Sequence, residues 1–170
     1  MKTLALFSLA TVLITGTQLT AQDKAPCSLL TANDVSALGA TGEGIPSDMQ
    51  IPNGPYKGQT MKMCAWRMKA GGLHLSANRM PPGASRTAIE AELTKTWEML
   101  TAKGWKQEKK SFGNVSCNSF TPPPGDSKSP SNTSCLAVTK GMLVNADALS
   151  MTPVPIEKVK AVIDAASGRL

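Results

Sequence analysis

The spacing of apolar residues changes several times along the chain, and each change marks a predicted element. In residues 61–70 and 73–80, apolar side chains recur at nearly every second position, which is typical of strands with one buried face. The dipeptide Gly71-Gly72 stands between them and is a strong signal for a two-residue turn. The two segments therefore predict a β-hairpin.

Between residues 85 and 103 the apolar residues have helical spacing, which predicts an α-helix. A serine can cap the start of this helix, and a glycine follows its end. The apolar positions at helical spacing are Ile89, Leu93, Trp97 and Leu100. Residues 31–39 predict a shorter helix, because Thr31 and Asp34 have the spacing of a capping box. Residues 153–170 predict a third helix with an apolar side.

The other segments predict further strands and two loops. Residues 105–120 and 135–149 are strand-like, and the second of these segments contains a hairpin turn at 140–141. Residues 121–132 are rich in proline and serine and predict an exposed loop. Residues 40–60 hold four glycines and three prolines with little periodicity, so we expect a long loop there. The order of elements predicts an α+β fold in which an antiparallel sheet packs with helices as a two-layer or three-layer sandwich.

The N-terminus has the pattern of a secretory signal peptide. Lys2 is followed by an apolar run over residues 4–14, and Ala21 is a small residue at the expected cleavage position. The run is too short to span a bilayer comfortably. Residues 1–21 are therefore predicted to be removed, which leaves residues 22–170 as a single domain without stable membrane insertion, in the periplasm or outside the cell.

All four cysteines follow the predicted signal peptide: Cys27, Cys64, Cys117 and Cys135. An even number of cysteines in an oxidising compartment predicts two disulfides. None of the cysteines are in CxxC spacing, which argues against a redox motif or a zinc knuckle. Three pairings are possible, and the spacing favours Cys117 with Cys135 across two strands and Cys27 with Cys64.

The chain is basic, but its charge does not indicate nucleic-acid binding. The net charge is +6, and the lysines are scattered along the chain. A surplus of this kind favours loose association with anionic surfaces. Export and the absence of an aromatic strand motif that could stack bases argue against a nucleic-acid partner.

His74 is the single histidine of the chain, so any Ser–His–Asp or Cys–His catalytic arrangement would need it. No GxSxG, HExxH or phosphate-binding loop accompanies it. An extracytoplasmic hydrolase that uses His74 is therefore an alternative rather than the main prediction. No cofactor is predicted.

A second alternative comes from the sulfur-rich hairpin at residues 61–80. Thioether sulfur is a soft ligand that suits Cu(I). Met61 and Met63 share one strand face, and the facing strand could bring His74 or Met80 close to them. Methionine is also a common filler of apolar cores, so the copper site remains a hypothesis.

The main prediction is a binding function. Loops at 40–60 and 121–132 can build a binding surface at the edge of a sheet, and Tyr56 lies in the first of them. Aromatic residues are enriched at binding hot spots. We therefore predict a protein that binds a small ligand or an envelope protein, with Tyr56 and His74 as candidate contacts.

The chain also resembles a family of bacterial exported proteins and lipoproteins of unknown function. The resemblance is carried by Pro-Cys-Ser-Leu-Leu-Thr at 26–31, Asp-Val at 34–35, Ala-Leu-Gly at 37–39, Cys-Ala-Trp at 64–66 and Arg-Leu at 169–170. It implies a fold like that of the photosystem extrinsic P-subunit (PsbP-like), in which helices sandwich a sheet. The chain departs from the lipoproteins because it lacks a lipobox, and the family offers no catalytic residue to transfer.

Overall fold

In the computed structural model, which describes residues 24–51, 57–80 and 83–170, the chain forms one seven-stranded antiparallel sheet with three α-helices. The strands are β1 (Ala40–Gln50), β2 (Thr60–Met68), β3 (Gly71–Arg79), β4 (Lys106–Phe112), β5 (Val115–Thr121), β6 (Ser131–Thr139) and β7 (Met142–Ser150). The helices are α1 (Ala32–Ser36), α2 (Arg86–Ala102) and α3 (Ile156–Gly168), and a 3-10 turn at Pro26–Leu29 precedes them. The strand order is β1-β2-β3-β7-β6-β5-β4. This arrangement confirms the α+β class and the antiparallel sheet.

Both predicted hairpins form, but one of them turns at a different place. Strands β6 and β7 are joined by Lys140 and Gly141, which both have positive φ, as expected for a two-residue turn. Strands β2 and β3 are joined by residues 69–70, so the prediction of a turn at Gly71-Gly72 is wrong. Gly71 instead begins β3, and a side chain there would collide with the backbone oxygen of Leu149 on β7.

The prediction of a loop over residues 40–60 is also wrong, because residues 40–50 form the edge strand β1. Nearly all of its side chains are exposed, so it has no apolar alternation from which a strand could be recognised. Its pairing with β2 shifts register between Thr41 and Ile45. Gly44 fits there because a side chain would overlap Cys64 and Trp66. Pro46 is tolerated because β1 lies at the edge of the sheet.

One face of the sheet, which we call the packed face, carries the main core. Helix α3 lies against β5, β6 and β7 on this face. The fully buried apolar residues of this face include Leu73, Leu75, Ala137, Val144 and Ala146. Val159, Val162, Ile163 and Ala166 of α3 pack against them, as the helical spacing predicted.

Both predicted disulfides form, and both are part of this core. Cys117 and Cys135 are directly opposite each other on β5 and β6, and they are bonded. Cys27 is bonded to Cys64, which attaches the N-terminal 3-10 turn to β2. The structure thus confirms the pairing that the spacing favoured.

The N-terminal segment and the C-terminus are held together by polar contacts. Thr31 and Asp34 form the predicted capping box of α1. Arg169 forms an ion pair of 2.8 Å with Asp34 and donates a hydrogen bond of 2.8 Å to the backbone oxygen of Leu29. Partial burial would raise the pKa of Asp34, but hydrogen bonds from Thr31 and Arg169 outweigh it, so the pKa is lowered.

Helix α2 lies on the opposite face, which we call the open face. Its serine cap is confirmed, since the Ser85 hydroxyl accepts a hydrogen bond from the backbone of Ala88. Glu90 bonds to Arg86 at 2.8 Å and accepts a hydrogen bond from Ser116 of β5 at 2.5 Å. Ile89 is its one buried residue. No helix among the described residues is long and apolar enough to cross a membrane.

Candidate ligand-binding cavity

Helix α2 does not close onto the open face, and a cavity of about 540 Å³ lies between them. This volume falls within the range of small-molecule sites. The helix contributes the apolar side chains that its spacing predicted: Ile89, Leu93, Trp97 and Leu100. Apolar residues of the sheet continue the wall: Met61, Met80, Phe120, Leu136 and Leu143.

The floor of the cavity is polar. Alternate residues of a strand lie on opposite faces, and six of the open-face residues that line the cavity on three neighbouring strands are polar: Ser76, Asn78, Asn132, Ser134, Asn145 and Asp147. On β7 the residues next to Asn145 and Asp147 along the strand belong to the packed core. The same strand therefore supplies an apolar core on one side and a polar floor on the other.

A hydrogen-bonded network joins three of the floor residues. The Ser134 hydroxyl donates to Asn145 Oδ1 at 3.2 Å, and Asn145 Nδ2 donates to a carboxylate oxygen of Asp147. Burial raises the pKa of Asp147, and hydrogen bonds from Ser134 and Asn145 and the charge of His74 offset only part of that effect. Asp147 is half-buried and lines the cavity.

His74 lies beside this network on the open face but does not line the cavity. On the central strand β7, Asp147 is opposite His74 of β3 on one side and Ser134 of β6 on the other. Of the three residues, Asp147 is therefore the middle one. In a hydrolytic triad the histidine must lie between the nucleophile and the acid. Two strand spacings, about 10 Å, separate the backbones of Ser134 and His74.

Asn132 has a different position in the floor. Its side-chain oxygen is buried and has no hydrogen-bond partner within the part of the chain that the structure describes. A buried acceptor without a partner costs about 1–3 kcal/mol. Asn132 lines the cavity through its other atoms, because this oxygen has no accessible surface from which a ligand could reach it.

The residues of the copper hypothesis do not all lie close together, because six residues of extended chain, about 20 Å, separate His74 from Met80. Met61 and Met80 line the cavity, whereas Met63 and His74 do not. Met63 is opposite Ser76, and His74 is the next open-face residue of β3. Among the described residues, no three side chains from histidine, cysteine, aspartate and glutamate are grouped to hold a metal. Tyr56 and the predicted signal peptide lie outside the described residues.

None of the polar floor residues was predicted from the sequence. One signal was available, because the segment Val144-Asn145-Ala146-Asp147-Ala148 alternates polar and small apolar residues in a strand that the structure places at the centre of the sheet. Charged residues are rarely buried without a partner. An aspartate at a central strand position therefore indicates a site or a network.

The comparisons with known proteins provide no relative from which a function could be transferred. The chain matches no family model, no curated protein and no solved structure. The resemblance to a family of exported proteins therefore remains a prediction, and the functional assignment depends on the cavity.

Proposed function

We propose that this protein is an extracytoplasmic binding protein that holds a small, mainly apolar molecule between α2 and the open face. The observation that carries the proposal is the cavity of about 540 Å³ with apolar walls and a polar floor. Two disulfides and the pattern of a signal peptide support a place in the periplasm or outside the cell. The presence of helices on both faces of the sheet is compatible with the PsbP-like fold that the resemblance implies.

A ligand would explain two unfavourable features of the open face. Protein interiors are close-packed, yet Leu93, Trp97 and Leu100 remain partly accessible beside an empty volume. Asp147 has a raised pKa because burial disfavours its charged form. A bound molecule would cover the apolar side chains and supply a partner for the polar floor.

The proposal can be tested with N-phenyl-1-naphthylamine, a neutral apolar dye that fluoresces when it leaves water. The wild-type protein should bind it, and Leu93→Trp should weaken binding at least about tenfold by filling the cavity. Met99→Trp is the matched control, because Met99 is on the same helix, is exposed and does not line the cavity. Circular dichroism should show that both variants fold. If the wild-type protein does not bind the dye, or if all three proteins bind it equally, the proposal fails.

The two alternatives from the sequence make different predictions. A hydrolase would turn over activated esters, and His74→Ala would abolish the turnover while leaving dye binding intact. A copper protein would compete with a weak Cu(I) chelator and lose this ability in Met61→Leu or Met80→Leu. Under the binding proposal, the purified protein hydrolyses no ester, and His74→Ala binds the dye as the wild-type protein does.

A further inference from the structure

The charge of the cavity lining restricts the ligand. Lys62, Arg79 and Asp147 are the charged residues among the described lining positions. Lys62 and Arg79 occupy the alternate strand positions, in phase with Cys64 on β2 and Leu75 on β3, whose side chains lie on the packed face. The backbones of Lys62 and Arg79 therefore border the cavity, whereas Asp147 presents its carboxyl group to it.

The charged group that faces the cavity is a hydrogen-bond acceptor. A carboxylate has about four acceptor positions, and within the described structure Asn145 donates to one oxygen of Asp147. Asn132 Oδ1 is not available to a ligand, because it is enclosed by the protein and has no surface open to the cavity.

An aromatic wall forms another part of the cavity. Phe120 lies on β5, directly opposite Asn132 of β6. Its ring lies 6.1 Å from that of Trp97, and both rings line the cavity. Aromatic faces attract cations, and aromatic rings also pack against apolar chains. The wall therefore suits a molecule in which a cationic group is attached to an apolar body.

We infer that the ligand of this cavity is an apolar amine, whose protonated nitrogen donates a hydrogen bond to Asp147 while its apolar part lies along α2. The inference rests on the proposed binding function and specifies the class of ligand. An ammonium group would supply the carboxylate with a partner of opposite charge. An anionic ligand would place a second negative charge beside Asp147.

The surroundings of Asp147 supply no full ionic partner within the described residues. On β3 it faces His74, and on β6 it faces Ser134. The residues of α2 that line the cavity carry no charge: Ile89, Leu93, Thr96, Trp97 and Leu100. His74 does not line the cavity, whereas Asp147 does.

The test compares three ligands with the same apolar chain: octylamine, octanol and octanoate, each competing with N-phenyl-1-naphthylamine. Octylamine should displace the dye at a concentration about tenfold lower than octanol, as expected for one charge-assisted hydrogen bond, and octanoate should be the weakest. The basic protein attracts anions in general. A preference for the amine would therefore result from the groups that line the cavity, because the net charge of the protein favours the anion.

Two variants locate the preference. In Asp147→Asn, octylamine and octanol should displace the dye at similar concentrations, whatever the affinity of the variant for the dye itself. Asp48→Asn is the matched control, because Asp48 is exposed on β1 and the change in net charge is the same; it should keep the advantage. The concentrations at which octylamine and octanol displace the dye can be compared in the wild-type protein alone. The inference therefore remains testable if Asp147→Asn fails to fold.

The outcomes separate the inference from the proposed function. If dye and octanol bind but octylamine has no advantage, or if octanoate binds best, the amine inference is overturned and the binding function stands. If Asp147→Asn keeps the preference for octylamine, the assignment to Asp147 is overturned. If the wild-type protein binds neither the dye nor any octyl compound, the proposed function itself fails.

Discussion

The two faces of the sheet are built by the same strands but differ in almost every physical respect. Strand β7 shows the difference most directly, because Val144, Ala146 and Ala148 lie in the packed core whereas Asn145 and Asp147 form the cavity floor. Small apolar residues on one face let α3 approach closely. Polar residues on the other face cannot support a dry helix contact, because each buried polar group needs a partner.

The helices on the two faces are attached in correspondingly different ways. Helix α3 buries five of its residues, whereas α2 buries one. The first turns of α2 are held to β5 by polar contacts of Arg86 and Glu90 with Ser116, and its centre by the Trp97–Phe120 contact. The comparison shows that the packed face carries the stability of the fold and leaves the open face available for binding.

The largest expected difference between the faces is the cost of truncating a helix residue. Ile163→Ala on α3 should lower the free energy of unfolding by about 2–5 kcal/mol, because Ile163 is fully buried and its removal creates a cavity. Leu93→Ala on α2 should cost less than about 1 kcal/mol, because Leu93 already borders a cavity and creates little new one. Urea unfolding of both variants measures the difference. Equal costs would contradict the distinction between the faces.

Removing either disulfide of the packed core should also lower the free energy of unfolding. Replacing both cysteines of one bridge by alanine should lower the free energy of unfolding by roughly 3–4 kcal/mol. The loss should be slightly larger for Cys27–Cys64, because this bridge closes a segment of 37 residues and Cys117–Cys135 closes one of 18. In conditions where the variants remain folded, dye binding should be unchanged, since both bridges lie away from the cavity. A bridge variant that is folded but no longer binds the dye would show that the faces are coupled.

Features of the fold were predictable from the sequence where the pattern of residues reflects contact with one neighbouring element. The apolar spacing of α3, the capping box of α1 and the pairing of Cys117 with Cys135 were all predictable for this reason. Prediction from the sequence failed at β1, because an exposed edge strand has no alternation, and at Gly71, whose role depends on a distant strand.

The cavity could be predicted only in part. The apolar positions of α2 were predicted, but the same spacing is expected for a helix that packs tightly. Asp147 could be noticed as unusual, yet its proximity to Asn132 and Ser134 follows from the register of β6 and β7, which the spacing of residues within one strand does not reveal. His74 was identified as a candidate contact, and the structure places it next to Asp147 but outside the cavity lining.

A smaller effect is expected where α2 is attached to the sheet. Partial burial would raise the pKa of Glu90, but hydrogen bonds from Ser116 and Arg86 outweigh it, so the pKa in the folded state is lowered. The ionised form therefore stabilises the folded protein above the ordinary pKa of 4.5, and this contribution is lost as the pH falls through the lowered pKa. Glu90→Gln should cost about 1–2 kcal/mol at pH 7.

Glu90→Gln has a clear control in the same helix. Glu92 is exposed and forms a surface pair with Lys95, so Glu92→Gln should change the free energy of unfolding by less than about 0.5 kcal/mol. Urea unfolding at pH 7 and at pH 3 measures both variants. A cost of Glu90→Gln that is the same at both pH values would mean that the charge of Glu90 does not hold α2 in place.

The smallest expected effect has the opposite sign and concerns Asp147. Burial raises its pKa in the folded state, so between the ordinary pKa of 3.8 and the raised value the folded protein binds more protons than the unfolded chain. Stability is therefore lost as the pH rises through this interval, and ionised Asp147 is a cost at neutral pH. Asp147→Asn should raise the free energy of unfolding at pH 7 by on the order of 1 kcal/mol and should have little effect below pH 3.8.

The effect of Asp147→Asn on stability can be compared directly with that of a substitution on the packed face. A residue on the packed face that is replaced by a smaller one should weaken the fold, whereas this replacement on the open face should strengthen it and remove the preference for an amine. Urea unfolding at several pH values, with Asp48→Asn as the exposed control, measures the stability. If Asp147→Asn is destabilising at pH 7, the carboxylate is a structural partner of Asn145 and Ser134 rather than a group kept at a cost for a ligand.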